Sequence, residues 1–430
     1  MIPKLASRIR KRILVVCPTD WELTAISSPL LQDSFEFLTC GEELFESFGV
    51  LRTLRFHVES YLQGIVHKYR HRGIDGVLGT GDYPGCMFSA VIAQELGLPA
   101  PQPRDSVLLS HKYYSRQLQQ RIVPEVTPHF DLIDPYKPRK PRSLQFPFFV
   151  KPVKGTMSIR AQMVHSEEAL RQATHFTVRD QLRFWSILNP YSQLLRQYQQ
   201  SPVPIHFFIA EAPLSGVQVT VDGFVQNGVS TVMGITDSIM YPGTSSFARF
   251  EYPSSLPHAV QARMIDIANR LMSASGFDHS CYNIEMFYDQ ATDSVSIIEI
   301  NPRMSYQFSD LFARVDGQSS FSVQLDLATG ESVHWLRSQG SSKVAASFVM
   351  RIFHDARVLK VPSPSQLSDV QRRFPGTVIK VLCSPGERLS DHDQDVGSYR
   401  YCIVNLAASS KQELHANYDQ VRLLLPFEFV

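Results

Sequence analysis

The chain has 430 residues, of which 43% are hydrophobic and 19% are charged, and its formal net charge is +1. This composition predicts a folded globular protein with room for two or three domains. The nearly balanced charge gives no electrostatic basis for nucleic acid or an anionic membrane as a partner. No stretch approaches the roughly 18 apolar residues that a membrane-spanning helix needs. The six cysteines form no C-x-x-C pair, which favours free thiols in a reducing cytoplasm over disulfides or a zinc site.

Strand and helix patterns alternate along the first 105 residues and predict a doubly wound α/β unit. The predicted elements are a strand at 13–17, a helix at 58–69, a strand at 76–79 and a helix at 87–96. The turn at residues 80–85 follows the carboxyl end of a strand, where such folds bind ligands. It therefore has two interpretations, an edge of the substrate site or an ordinary βα turn.

Mixed strands and helices follow, and they predict an α+β middle and a β-rich end. Residues 99–106 resemble a linker, and a single helix is expected at 106–121. Further predicted elements are strands at 148–151, 205–211 and 218–225, helices at 167–174, 175–200 and 259–274, strands at 345–353, 377–383 and 399–406, and a last helix at 411–424. We expect three domains, at 1–105, 106–330 and 331–430, with a lid at about 148–212 inside the second.

Two short segments near residue 290 carry the strongest chemical signal. Residues 283–287 (NIEMF) and 298–303 (IEINPR) both alternate in character and flank a polar turn, which predicts a β-hairpin. A turn centred near residues 290–293 places Glu285 roughly opposite Glu299. Two facing carboxylates repel each other, and burying them together is unfavourable unless a cation lies between them.

The residues that follow Glu299 at every second position suit phosphoryl chemistry. Alternation puts Asn301 and Arg303 on the same face as Glu299. Two carboxylates and an amide are the oxygen ligands that a hard cation such as Mg²⁺ prefers. A guanidinium beside such a cation can hold a phosphoryl group. The alternative interpretation is a surface hairpin with scattered charges.

Two lysines precede this hairpin in positions that require a counter-charge. Lys151 ends an apolar strand, so its ammonium needs a nearby acid or a phosphate. Lys112 is informative only together with Lys151, and a structural salt bridge is the alternative for each. The turn at residues 154–158 contains a single glycine and is a weak candidate for a loop over a triphosphate.

The chain resembles the ATP-grasp superfamily over about residues 106–330 in the order of its motifs. These motifs are the two lysines, the strand at 208–214 (FIAEAPL) and the E…E-x-N-x-R hairpin. The resemblance implies an ATP-grasp fold, in which two α+β subdomains clasp ATP. It implies the nucleotide-binding residues Lys112, Lys151, Glu211, Ala212, Leu214, Gln218 and Phe287, the metal ligands Glu285, Glu299 and Asn301, and the catalytic arginine Arg303. Two positions depart from the family pattern, because His111 stands where Asp usually precedes the first lysine and Gln218 stands where many members carry a ribose-binding Glu.

By this resemblance the chain is a carbon–nitrogen ligase that uses ATP and two Mg²⁺ ions, with Mn²⁺ as an alternative. A carboxylate attacks the γ-phosphorus to give an acyl phosphate, and an amine then displaces phosphate. The expected partners are a small carboxylic acid and an amine, with an amino acid preferred as the amine, and a homodimer is one open arrangement. Gln307 stands where biotin carboxylases have an acidic base, which counts against bicarbonate chemistry. A carboxylase, a phosphotransferase and a non-catalytic ATP-binding protein remain alternatives.

Overall fold

The computed structural model describes residues 10–44, 56–155, 160–392, 394 and 397–430. Residues 156–158 of the candidate triphosphate turn lie outside these ranges, as do the first nine residues of the predicted N-terminal domain. The strands are β1 (Lys11–Val16), β2 (Phe35–Cys40), β3 (Gly76–Leu78), β4 (Phe130–Ile133), β5 (Phe148–Pro152), β6 (Gln162–Val164), β7 (Phe208–Glu211), β8 (Val217–Gln226), β9 (Val229–Met240), β10 (Phe247–Tyr252), β11 (Ser280–Asp289), β12 (Ser294–Asn301), β13 (Val344–Ile352), β14 (Val358–Lys360), β15 (Val378–Val381), β16 (Tyr399–Ala408) and β17 (Glu428–Phe429). The α-helices are α1 (Asp20–Ile26), α2 (Pro29–Gln32), α3 (Val58–Tyr69), α4 (Gly85–Leu96), α5 (Pro103–Leu109), α6 (Lys112–Ile122), α7 (Glu167–Thr174), α8 (Val178–Tyr198), α9 (His258–Ser273), α10 (Tyr306–Asp316), α11 (Ser320–Ala328), α12 (Pro364–Arg373) and α13 (Lys411–Leu424).

The N-terminal unit is built on a parallel sheet with the strand order β2-β1-β3. The central strand β1 is apolar from Ile13 to Val16, because both faces of that part of the strand are buried. Leu14 and Val16 pack with α3 and α4, whereas Ile13 and Val15 pack with Phe321 and its neighbours on α11. The sheet therefore has helices on both faces, as the doubly wound pattern predicts, but one of them comes from late in the chain.

A four-stranded antiparallel sheet with the order β4-β7-β5-β6 forms a second layer. Its core includes Phe148, Phe208 and, from α7, Leu170. The sheet begins with β4, ahead of the predicted start of the lid at 148. The described side chains of helix α8 include Tyr191 and Leu194, which pack against the N-terminal unit. The limits of the lid and of the three domains stay a prediction.

The largest sheet is antiparallel and has the order β12-β11-β8-β9-β10-β13-β16-β15. Helix α9 covers one face through Met264 and Leu271, which pack with Val221 and Ile284 in one apolar core. The opposite face of β8 and β11 carries the polar residues of the candidate site. The C-terminal strands β13, β16 and β15 extend this same sheet beyond β10.

The mixture of α/β and α+β layers confirms the predicted fold class, and α3 has the predicted bounds. Two local predictions are wrong. The expected linker contains the start of α5, and the single helix expected at 106–121 is two helices, because His111 between them has an extended backbone. Strand β2 was not predicted, since at this edge of the sheet only Cys40 is buried and the residues do not show a clear apolar pattern.

All six cysteines are buried and free. Within the described ranges, no helix is long and apolar enough to cross a membrane.

Candidate active site

A β-hairpin of β11 and β12 positions the predicted metal ligands. Glu285 pairs with Glu299 in the register, and Asn283 pairs with Asn301. This pairing depends on a β-bulge, because Met286 pairs with Ile297 and leaves residue 298 as the extra residue of β12. Without the bulge, Glu299 would not lie opposite Glu285. The predicted register is therefore confirmed, and the structure supplies its cause.

The two carboxylates differ in their partners. The Nζ atom of Lys112 donates to Oε2 of Glu299 at 2.7 Å, and Nε2 of Gln218 donates to Oε2 of Glu285 at 2.8 Å. Burial, followed by repulsion from Glu299, raises the pKa of Glu285. Burial opposes ionisation of Glu299 as well, but the charges of Lys112 and Lys151 outweigh it and lower the pKa of that carboxyl group. The pair thus holds closely spaced negative charge that only partly has counter-ions.

The predicted amide ligand lies beside these carboxylates. Nδ2 of Asn301 donates to Oδ1 of Asn283 at 2.9 Å and lies 3.4 Å from Oε1 of Glu285. These contacts use the amide nitrogen and leave the amide oxygen for a cation. Among the residues that the structure describes, no three or more His, Cys, Asp or Glu side chains converge as a metal cluster. The candidate ligand set is instead two carboxylates and one amide, which suits a hard cation.

A buried charge cluster joins the small sheet to this hairpin. Glu211 accepts from Nε of Arg116 at 2.7 Å and from Nζ of Lys151 at 2.8 Å, and all three side chains are at most 8% exposed. Burial alone would raise the pKa of Glu211, but Arg116 and Lys151 lower it to about 2. Burial lowers the pKa of Lys151, and Glu211 opposes that change. The carboxylate of Glu211 therefore serves as the counter-ion that keeps two buried cations in place.

The bulge in β12 gives this cluster a second anchor. Nη2 of Arg116 donates to the carbonyl oxygen of Ile298 at 2.6 Å, and Nζ of Lys151 lies 3.4 Å from the same oxygen. A regular strand would direct this carbonyl into the ladder, whereas the bulge frees it for side-chain donors. Arg116 on α6 therefore contacts both the small sheet, at Glu211, and the β11–β12 hairpin, at Ile298.

The remaining predicted nucleotide residues line the same region. The amide of Ala212 donates to the carbonyl oxygen of His129 at 2.9 Å, which fixes the chain just after β7. Leu214 is half-buried two residues later. Phe287 is half-buried and pairs with Gln218 across β11 and β8. Their contacts with a nucleotide stay a prediction.

A cavity of about 340 Å³ opens beside the hairpin and reaches the N-terminal unit. Glu285 and Arg303 contribute to its lining, together with Thr80, Gly81 and Asp82 from the predicted glycine turn. Asp82 lies 3.8 Å from Nε of Arg303 and 3.6 Å from Nζ of Lys154. The turn at 80–85 is therefore an edge of the site, as one of its two interpretations expects.

Sequence reasoning missed Arg116 and Asp82 as site residues. Arg116 is 1% exposed, and a lone arginine in a polar helix gives no sign of such burial. Asp82 had a signal, because it follows a strand in a glycine turn, but Arg303 lies 221 positions later in the chain. Nothing in the sequence indicates that these two residues meet.

Comparison with known proteins identifies the fold around this site. Residues 144–309 match the family model of the ATP-grasp domain. Solved structures with the same fold include L-amino acid ligase from Bacillus licheniformis, with a TM-score of 0.70, 16% identity and coverage of 98% of this chain and 99% of that one. Phosphoribosylglycinamide synthetase from Anaerococcus prevotii has a TM-score of 0.65 and 12% identity, with 98% and 100% coverage. A search of curated proteins by sequence gives no match.

A third similar structure is the biotin carboxylase domain of the 2-oxoglutarate carboxylase from Hydrogenobacter thermophilus, which was solved with MgADP and bicarbonate. It has a TM-score of 0.68 and 12% identity, and the match covers 98% of this chain and 91% of that one. The chain contains an ATP-grasp domain, and its overall fold is that of ATP-grasp proteins. The predicted resemblance to the ATP-grasp superfamily is confirmed by the family model over residues 144–309, and over the rest of the chain the likeness is one of fold.

Proposed function

We propose that this protein is an ATP-dependent ligase that activates a carboxylate as an acyl phosphate and joins it to an amine, releasing ADP and phosphate. The observation that carries the proposal is the registered pair Glu285 and Glu299, with Asn301 and Arg303 beside it at a cavity. Lys112 contacts Glu299, and Lys151 contacts the carbonyl oxygen of Ile298 beside it. This combination of paired acids, an amide and three cations suits transfer of a phosphoryl group.

In the first step, an oxygen of the substrate carboxylate attacks the γ-phosphorus, and the bond from phosphorus to the ADP oxygen breaks. Lys112 and Lys151 would neutralise charge on the nucleotide phosphates, and Arg303 would hold the transferred phosphoryl group. Lys151 suits this role because its stem is buried and Glu211 fixes its position. A phosphate that approaches Lys151 would share its charge with Glu211.

In the second step, the amine nitrogen attacks the activated carbonyl carbon, the carbon–oxygen bond to phosphate breaks, and the nitrogen loses a proton. Water must be excluded until then, because an acyl phosphate hydrolyses readily. We expect the small sheet to cover the phosphates, as a lid at about 148–212 would.

Glu285, Glu299 and Asn301 would hold Mg²⁺, with two ions expected and Mn²⁺ as an alternative. The bound metal would neutralise negative charge on the triphosphate. Its fit is supported by the repulsion between the carboxylates, which raises the pKa of Glu285 and which a cation would relieve.

Phosphate release over paired acids and amines tests the function. We expect ADP and phosphate to form only when ATP, Mg²⁺, an acid and an amine are all present. Glu299→Gln should lower turnover at least about 100-fold, since it removes a charge that acts in the transition state. Glu168→Gln, at an exposed position on α7, is the matched control. Wild-type turnover in a folded Glu299→Gln variant, or the lack of any nucleotide binding, would show that the proposal is wrong.

A carboxylase on the same fold is the second candidate, and the similarity to the biotin carboxylase domain favours it. The side chain of Gln307 opposes it, because its Nε2 donates to Oγ of Ser347 at 2.9 Å and supplies no acid or base. Phosphate release that depends on bicarbonate and not on an amine would favour the carboxylase.

The cellular compartment and the oligomeric state also belong to the proposal. Six buried free thiols suit a reducing compartment, and we propose the cytoplasm. Light scattering on the purified chain tests whether it forms a homodimer.

A further inference from the structure

We propose that the cavity beside Arg303 binds an α-amino acid with a large apolar or aromatic side chain, and that this amino acid is the acid that is activated. The inference rests on the proposed function and names the class of its first substrate. It combines three features of one cavity: an aromatic wall, a phosphoryl-transfer end and an acidic group near that end.

The aromatic wall would hold the side chain. The cavity is lined by Trp21, Phe247, Phe250, Tyr306 and Phe308. The ring of Phe250 lies 4.8 Å from that of Phe247 and 4.9 Å from that of Phe308, so these rings form one continuous surface. A volume of about 340 Å³ is near the lower end for ligand pockets and suits a molecule of amino-acid size. Burial of an aromatic side chain against such a wall is favourable.

The charged residues of the cavity decide which group of the substrate lies beside them. Glu285 and Arg303 line the same cavity as the aromatic residues, and they belong to the proposed phosphoryl-transfer machinery. A molecule whose side chain fills the aromatic wall would therefore direct its carboxylate toward Arg303. This orientation makes it the acid of the reaction, since the activated oxygen must reach the γ-phosphorus.

Asp82 provides an acceptor for the α-ammonium group. Its contacts with Lys154 and Arg303, at 3.6 and 3.8 Å, are longer than hydrogen bonds, so its oxygens can accept from a bound ligand. Burial opposes ionisation, but Lys154 and Arg303 lower the pKa of Asp82, and the group is a carboxylate near neutral pH. An ammonium next to a carboxylate forms a charge-assisted hydrogen bond.

Glu22 makes these walls a preformed site. It is fully buried, and its two oxygens accept from the amide of Thr80 at 2.9 Å and from that of Thr19 at 2.7 Å. One carboxylate thus fixes both the turn that carries Asp82 and the start of the helix that carries Trp21. A ligand would find both groups already in place, which reduces the entropy lost on binding.

A graded series of acids tests the inference. Thermal shift with Mg·ATP, and ADP formation with Mg·ATP and each of a panel of amines, are measured for glycine, L-alanine, L-leucine, L-phenylalanine and 3-phenylpropionate, which lacks the amino group. We expect kcat/KM for L-phenylalanine to exceed that for glycine at least about tenfold, a range that apolar pockets reach. L-Phenylalanine should also exceed 3-phenylpropionate at least about tenfold, because only the amino acid can satisfy Asp82.

Three variants separate the contributions. Phe247→Ala should reduce the preference for L-phenylalanine over glycine at least about fivefold, whereas Phe353→Ala, at an exposed aromatic 46% accessible and outside the cavity lining, should not. Asp82→Asn should remove the preference for L-phenylalanine over 3-phenylpropionate and leave the preference for a large side chain.

The outcomes distinguish this inference from the function it rests on. ADP formation without side-chain preference, or a preference that Phe247→Ala leaves unchanged, would overturn the inference while the ligase function stands. Selective stabilisation by L-phenylalanine that Phe247→Ala removes, with no ADP formed for any amine, would support the cavity assignment and contradict the ligase function.

Discussion

The substitution Arg116→Met should destabilise the protein because it removes one counter-ion from a buried cluster of charges. Arg116 is 1% exposed and donates to Glu211 and to the carbonyl oxygen of Ile298. Breaking a buried ion pair by removing one partner costs about 3–5 kcal/mol. Because Lys151 remains 2.8 Å from Glu211, we expect the lower part of this range, about 3–4 kcal/mol.

Substitution of the shared acid should be more harmful still. Glu211→Gln removes the acid that contacts both Arg116 and Lys151, so its cost should exceed that of Arg116→Met. Arg121→Met is the matched control, since Arg121 lies on the same helix and is exposed, and it should change stability by less than about 0.5 kcal/mol.

Urea denaturation of the three variants, followed by circular dichroism, measures these differences. The order of free energies of unfolding should be Arg121→Met, then Arg116→Met, then Glu211→Gln, from most to least stable. A cost for Arg116→Met within about 1 kcal/mol of the control, or a milder effect of Glu211→Gln, would refute the assignment of Glu211 as the counter-ion of two buried cations.

Three further predictions concern the β11–β12 hairpin, the glycine turn and strand β10 of the large sheet. In the absence of metal, Glu285→Gln should raise the free energy of unfolding by about 0.5–1 kcal/mol, because it relieves the repulsion between the two carboxylates. The same substitution should abolish the thermal shift that Mg·ATP produces. A variant that keeps this shift would contradict the assignment of Glu285 as a metal ligand. Gly79→Ala should lower the free energy of unfolding, measured with urea, by about 2 kcal/mol or more, because the added Cβ would lie 2.4 Å from the carbonyl oxygen of Gly85. The Cβ of Gly81→Ala would meet nothing closer than 3.7 Å, so this substitution should be tolerated. Equal effects of the two substitutions would contradict this account. Glu251 has a pKa lowered to about 2, since burial is outweighed by bonds from neighbouring basic groups, so its contribution is present above pH 4.5 and lost as the pH falls toward 2. The stability difference between wild type and Glu251→Gln should shrink over that range in thermal melts, and a pH-independent difference would exclude the linkage.

Much of the fold follows from local pattern. The apolar run of β1 predicts a strand buried on both faces, and the stripe of Val260, Met264, Ile267 and Leu271 predicts helix α9. Strand β2 does not show such a pattern, because it lies at the edge of its sheet and only its last residue, Cys40, is buried. The C-terminal strands were predicted as strands, but their union with the large sheet depends on the pairing of β10 with β13, across about a hundred residues.

The same distinction between local pattern and tertiary structure applies to the candidate site. Alternation along β12 determines by itself that Glu299 and Asn301 share a face, because side chains in a strand repeat every two residues, whereas Arg303 lies beyond the end of the strand. The tertiary structure decides the rest: a bulge at residue 298 brings Glu299 opposite Glu285, Arg116 anchors that bulge, and Asp82 comes from the turn after β3 to meet Arg303. These contacts join residues far apart in the chain. They form only when packing brings the three layers together, so no local pattern encodes them.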